Sequence, residues 1–525
     1  MSRQEITSTY VDGIDRLVSK ALFLIVSGCS LILFGGHSHS IDEETYLAGL
    51  RSFLHLQPQI DIQSTPLDIL VTTPGKSGIA TSIYGFGTTL FYLPMYFLGK
   101  VVSLLVDSAW QEQVLRLFLF STNSFALGIT CTGIYLCARF YGAYRKVAIG
   151  GTFAYGLGSF AFANAGTGFS EQITAMFLIV GFYFFIRHRT GNNLGIALSG
   201  FFIGCSVLMR PSALIFVPLL IVNLVFSVNR KHLITKSSAF IAGISPPLIT
   251  MFIYNAWKWG SPLDSGYPDL SYNTPWYEGL YGLFFSSGKG LVWFAPIMIV
   301  SLVFGFRAIQ KFKIDSLTLW LCVLINAILF CRFEVWSGDD AYGPRYMGIV
   351  LPLLVLLAII GSSHINRVAV WIAFLFGLPS ALAGSLIYVN ASNASRLQKI
   401  LDTVGSSSVQ QDGSYNWTLT RRSVNFTPRL SQLVEHIASI PQAFQQTLKS
   451  FHRESVPFAG GVKSGLSWYI SPNRIDIWWL YWIESGAPLI FLSLILIPIF
   501  MLVRGLIILK KIAAGFAPAE QMQKE

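Results

Sequence analysis

The sequence predicts an all-α polytopic membrane protein of about twelve transmembrane helices, and three observations carry that expectation. Apolar residues make up 53% of the 525-residue chain and charged residues only 12%, about half the charged share of a soluble protein. The apolar residues fall in long blocks, such as 214–226, 317–330 and 489–503, approaching the ~20 residues a helix needs to cross a ~30 Å hydrocarbon core. Small basic clusters separate the blocks, as in cytoplasmic loops. Short alternating strands are absent, so a helical bundle, not a closed barrel, must satisfy the backbone in lipid.

The basic clusters order the elements. They stand at Arg16/Lys20, Arg139/Arg145/Lys146, Arg187/Arg189, Arg230/Lys231/Lys236, Arg307/Lys311/Lys313, Arg367 and Arg504/Lys510/Lys511. If all are cytoplasmic, neighbouring clusters enclose an even number of spans. Blocks at 21–36, 117–138, 147–164, 172–186, 193–209, 212–228, 238–256, 291–306, 317–333, 347–362, 369–388 and 478–503 meet that condition with both termini inside. One apolar stretch, 84–106, is left over. Its glycines, Pro94 and Lys100 suit a helix that lies in the interface or re-enters the membrane. The expected organisation is a membrane module over 1–388 with an outer loop at 37–116, an outer soluble segment at 389–475, and a last span with a cytoplasmic tail at 476–525. The expected location is a bacterial inner or plasma membrane, with the chemistry on the outer face.

The net charge of +11 does not imply nucleic acid, because the basic residues form no single stripe. The six cysteines lie in or beside apolar blocks without ligand spacing and read as small core residues.

Polar residues with chemical potential gather in the outer segments. Past the first span runs His37-Ser38-His39-Ser40-Ile41-Asp42-Glu43-Glu44-Thr45-Tyr46. On a helix Asp42, Glu43 and Tyr46 share a face. A carboxylate there would deprotonate a hydroxyl or hold a divalent metal; the alternative is a solvated acidic helix start. His37 and His39 read as a flexible polar loop in preference to metal ligands. Arg345, after Gly343-Pro344, is either a bidentate phosphate clamp or an interfacial anchor. Glu171 stands so close to hydrocarbon that it must be paired or functional. Arg210-Pro211 is a second phosphate contact or a helix stop, and Lys289 in Ser287-Gly288-Lys289-Gly290 resembles a phosphate loop only superficially. Outer aromatics form an interface belt by default, and Tyr46, Tyr84, Trp336 and Tyr342 are candidates to line a substrate.

The order of these segments resembles the GT-C superfamily of membrane glycosyltransferases, which includes protein O-mannosyltransferases and lipid A aminoarabinose transferases. The resemblance spans roughly residues 15–360. It rests on Asp42-Glu43-x-x-Tyr46, Tyr84-Gly85-Phe86-Gly87 with Tyr92-Leu93-Pro94, Ser170-Glu171, Leu208-Met209-Arg210-Pro211, Gly290 to Pro296, and Trp336-x-Gly338-x-x-x-Tyr342-Gly343-Pro344-Arg345-Tyr346. It implies transfer of a sugar from a polyprenyl-phosphate donor to a glycan, lipid or protein acceptor. Asp42 would be base or metal contact, beside Glu43 and Glu171. Arg345, Arg210 and Lys289 would hold the donor phosphate, and the 84–106 helix would line the lipid's approach. The resemblance implies no particular cofactor beyond a candidate divalent metal, Mg or Mn, and leaves metal dependence open. The competing expectation is a transporter or lipid-linked-sugar flippase, which would need polar residues at mid-membrane.

Overall fold

A computed structural model of the chain describes residues 13–60, 71–76, 78–267, 271–338, 341–363, 366–389, 422, 424–450, 474–484, 487 and 492–522. Among them, seven helices are long and apolar enough to cross a membrane: α1 (Gly13–Leu33), α4 (Ser108–Phe140, crossing over Trp110–Phe140), α7 (Ser170–His188), α10 (Arg230–Trp259), α14 (Lys313–Cys331), α16 (Arg367–Leu386) and the Ser493–Ala514 stretch that leads through α19 (Leu496–Met522). Several expose apolar stripes, as helices in a membrane do. Leu317, Leu321, Leu324 and Ile328 form one exposed stripe on α14, and Val368, Ile372, Leu375 and Phe376 form another on α16.

The remaining expected spans are shorter or interrupted, mostly where proline or glycine opposes a continuous helix. Block 147–164 divides into α5 (Arg145–Gly156) and α6 (Phe160–Asn164), with Ser159 Oγ accepting from the Ala161 amide at 3.2 Å. Block 193–209 is α8 (Asn193–Met209), and 212–228 opens as a 3-10 turn at Pro211–Ile215 before α9 (Phe216–Ser227). Block 291–306 divides at Pro296 into α12 (Leu291–Phe294) and α13 (Ile297–Lys311). Block 347–362 starts as a 3-10 turn at Arg345–Ile349 and continues as α15 (Leu351–Gly361), whose every residue is buried. α15 is thus the centre of the bundle.

Two expectations are corrected. Block 478–503 is not one helix: α18 (Trp478–Glu484) precedes a separate α19, with Gly486 and Pro488 between them in the sequence. Strands also occur, in a small antiparallel hairpin within the first loop where Thr72–Pro74 pairs with Ala80–Ser82. The leftover stretch 84–106 contains α3 (Phe86–Ser103), which packs along α4, leaves Phe97, Leu98 and Val101 exposed, and is not among the seven. Of the segment 389–475, the described part includes α17 (Gln432–Ser450), which lies against α16 with His436 Nδ1 3.1 Å from the Ala383 carbonyl. Also described are residues 389, 422, 424–431 and 474–475, with a 3-10 turn at Pro428–Leu430, and the remainder of that segment lies outside the described residues.

The helices carry ion pairs at their two ends. At one end Asp15 of α1 meets Arg139 and Arg145, and Asp315 of α14 meets Arg189. At the other end, where α2 (Ile41–Leu54) follows α1 and where α4 and α7 begin, stand Asp42, Glu44, Glu171, Arg116, Arg210 and Arg345. Backbones approach closely between α8 and α10, where a Cβ at Gly200 would come within 2.1 Å of the Phe240 carbonyl oxygen. That packing fixes the end of α8, from which Arg210 projects.

Candidate functional site

Four charged residues from four separate segments meet in one alternating row. Asp42 stands in the first turn of α2, and its Oδ2 accepts from Arg345 Nη1 at 3.1 Å. Arg345 Nε lies 3.7 Å from Glu171 Oε1, and Arg210 Nη1 lies 2.7 Å from the same oxygen. Local structure aims each of them. Glu171 occupies the first turn of α7, where the helix dipole favours a carboxylate. Arg210 leaves α8 in extended conformation just before Pro211 stops the helix. Arg345 follows Gly343, which turns the chain at φ +69°. Gly338 (φ +76°) leaves room for the arginine stem: a Cβ there would sit 2.7 Å from Arg345 Cγ.

Both guanidiniums stack on aromatic rings. Arg345 Cζ lies 4.7 Å from the Phe169 ring and 5.1 Å from the Tyr346 ring, and Arg210 Cζ lies 5.5 Å from Tyr346. Tyr46, Tyr84 and Tyr267 complete the surround, with Tyr46 and Tyr84 edge-to-face at 4.3 Å and Tyr84 and Tyr267 at 6.2 Å. Burial, reinforced by the Asp42 charge, pushes the Tyr46 and Tyr84 phenols up. Burial pushes Tyr267 up to about 12, with Asp42 and Glu171 adding to the rise and Arg210 opposing it. All three phenols therefore stay protonated and able to donate. Asp42 keeps 19% of its side chain exposed. Glu171 Oε2 and Arg345 Nε are buried with no hydrogen-bond partner among the described residues.

The three consecutive carboxylates have three different surroundings. Glu43 is fully buried, and its Oε1 accepts from the Gly168 amide at 2.5 Å while its Oε2 accepts from the His39 amide. Burial pushes its carboxyl up against the opposing pull of His39. Glu44 pairs with both terminal nitrogens of Arg116, which also donates to Glu112 Oε1 at 2.9 Å. Of the three, Asp42 is the one paired with Arg345, while backbone amides hold Glu43 away from the Arg345–Glu171–Arg210 row.

The other expected residues divide. Tyr46 and Tyr84 belong to the site. Lys289 does not: its ammonium donates to the Ala341 carbonyl and is buried there. Tyr342 is buried against Phe294, with its hydroxyl donating to Ser380 O at 2.8 Å. Trp336 packs over Gly282 and Phe426, lining a separate cleft of about 230 Å³ with Glu278 and Arg422. The structure places these three away from the arginine row.

Three further residues stand in the site with no role expected from the sequence: Phe169 and Tyr267 give no local signal beyond general aromatic richness, and Tyr346 only closes a motif. The expectation for the histidines is also corrected. His37 and His39 are not a flexible loop but are buried against Asp476, with Nε2 of each at 2.7 and 3.1 Å from its carboxylate oxygens. A divalent metal at Asp42 itself would meet the fixed positive charge of Arg345 at 3.1 Å. Comparison of the chain with protein-family models, with curated proteins and with solved structures finds no match.

Proposed function

We propose that this chain is a GT-C-type glycosyltransferase with twelve spans and both termini inside, moving a sugar from a polyprenyl-phosphate donor to an acceptor at the outer face. The observation that carries the reading is the row Asp42–Arg345–Glu171–Arg210, in which two stacked guanidiniums stand beside one part-exposed carboxylate. A glycosyl phosphate is an activated donor, so the protein needs to orient a hydroxyl, accept its proton and stabilise the leaving phosphate. Arg345 and Arg210 suit the last task, because a guanidinium binds phosphate oxygens through paired N–H donors.

In this reading the donor phosphate takes over the donors that Asp42 and Glu171 now occupy. Asp42, released from Arg345, accepts the acceptor hydroxyl's proton as the new glycosidic bond forms. The bond between the anomeric carbon and the phosphate oxygen breaks, the electron pair stays on that oxygen, and the lipid phosphate leaves with its charge held by the two arginines. Tyr46, Tyr84 and Tyr267 present protonated hydroxyls and ring faces to the sugar. The test is incubation of the purified chain with radiolabelled polyprenyl-phosphate sugars and cell-envelope extract. Label transferred by the wild type and lost in Asp42→Asn supports the reading. Sugar flux across proteoliposomes without any glycoconjugate product would replace it with transport.

A further inference from the structure

The seam between the first loop and the end of the chain holds a second cluster that the arginine row does not use. His37 Nε2, His39 Nε2 and the Asp476 carboxylate present donor atoms within 4.8 Å of one another, and all three side chains are buried. The two imidazoles stack at 4.5 Å and 20°, and Tyr388 closes over both rings at 5.4 and 5.7 Å. Gly35 is needed at this point, because a Cβ there would come 2.5 Å from Asp476 Oδ1 and 2.7 Å from His37 Nε2.

Hydrogen-bond direction gives the second observation. His37 Nδ1 lies 2.8 Å from the Ser38 carbonyl oxygen, which only accepts, so Nδ1 carries the proton. In the neutral ring Nε2 then holds a lone pair, yet it faces a carboxylate oxygen at 2.7 Å. Two acceptors at that distance need a positive charge between or upon them. A shared proton would meet that need as a histidine–aspartate ion pair. A divalent cation meets it while both rings stay neutral, and it offsets the two buried carboxylates, Asp476 and Glu43. The Nδ1–H to carbonyl bond is also the orienting contact typical of a metal-bound histidine. Tyr481, whose hydroxyl donates to Asp476 Oδ1 at 3.0 Å, holds the carboxylate in the same way.

We infer that His37, His39 and Asp476 form a binding site for a zinc-type divalent cation that pins the first loop to the chain's last segment. Two nitrogens and a carboxylate suit a borderline cation better than magnesium or calcium, which take oxygen. Bonds of about 2.0–2.1 Å imply ligand separations near 3.3 Å in a tetrahedron, close to the 2.7 and 3.1 Å from the two imidazoles to the two carboxylate oxygens and within the 4.8 Å that bounds the donor set. The closed surroundings mark a structural centre. It fixes the start of α2 through the His39 amide on Glu43, the residue next to Asp42.

The test reads metal and needs no activity, so it stands apart from the proposed transferase. Full-length protein in detergent, stripped with a chelator, exposed to zinc and desalted, is expected to retain about one zinc per chain by mass spectrometry. Asp476→Asn and His39→Gln are expected to lower zinc affinity at least about tenfold. Because those variants can fail to fold, His37→Cys keeps a ligand. Loaded with cobalt, it is expected to add a thiolate charge-transfer band absent from the cobalt-loaded wild type. Monodisperse wild type that retains less than about a tenth of an equivalent overturns the proposal, leaving a protonated histidine clamp. Equal zinc retention by wild type and monodisperse Asp476→Asn also overturns it, as does a cobalt spectrum unchanged by His37→Cys.

Discussion

Arg345 Nη1 lies 3.1 Å from Asp42 Oδ2, joining residues 303 positions apart in the chain. The pair links the first turn of α2 to the turn that precedes the central buried helix. Asp42 is part exposed and Arg345 is stacked between Phe169 and Tyr346, so the two partners differ in what their removal costs.

Asp42→Asn is expected to reduce sugar transfer by about 10²–10⁴-fold, the usual contribution of a general base. Its melting temperature should stay close to that of the wild type, since the side chain is only part buried. Initial rates with a radiolabelled polyprenyl-phosphate sugar measure the first quantity and detergent melting the second. Full activity in this variant removes Asp42 as the base.

Arg345→Lys tests the phosphate clamp. A lysine keeps the charge but loses the planar fork and the stacking, so the donor KM is expected to rise about tenfold or more, a loss of about 1.4 kcal/mol in binding. Steady-state kinetics with varied donor measure it. An unchanged KM would make Arg345 an anchor for the loop.

Gly338→Ala approaches the same residue from behind. The residue sits at φ +76°, and the added Cβ would stand 2.7 Å from Arg345 Cγ. A stability loss of about 1 kcal/mol is expected from the backbone alone, with a larger drop in transfer rate from the displaced guanidinium. Comparing melting with kinetics separates the two effects. Activity loss no greater than the unfolded fraction would show that the stem tolerates the methyl.

Glu44→Gln is expected to be the severe folding variant among the three carboxylates. It leaves Arg116 buried without its bidentate partner, a cost of about 3–5 kcal/mol for breaking one side of a buried pair. Glu112→Gln, whose side chain is 40% exposed, is expected to cost about 1 kcal/mol or less. Thermal unfolding in detergent ranks them. Equal effects would mean that Arg116 reaches other acceptors when Glu44 is neutralised.

Periodicity and charge made much of the bundle legible, because those signals are local. Apolar blocks marked the segments that fold as α1, α4, α7, α10, α14 and α16, and the lone acidic residue Glu171 signalled a need for pairing. Less legible were the interrupted helices at 147–164 and 478–503, where apolar composition continues across a backbone break.

The sequence by itself determined that the chain is helical and apolar enough for a membrane, and that carboxylates and arginines gather near one set of helix ends. Only tertiary structure decided what each of them does. Asp42, Glu43 and Glu44 are adjacent and chemically alike, yet helical rotation of about 100° per residue aims one at Arg345, one at backbone amides and one at Arg116. His37 and His39 looked like loop residues because their partner, Asp476, lies more than four hundred positions away. Burial and pairing are properties of that distant neighbour, which no local pattern encodes.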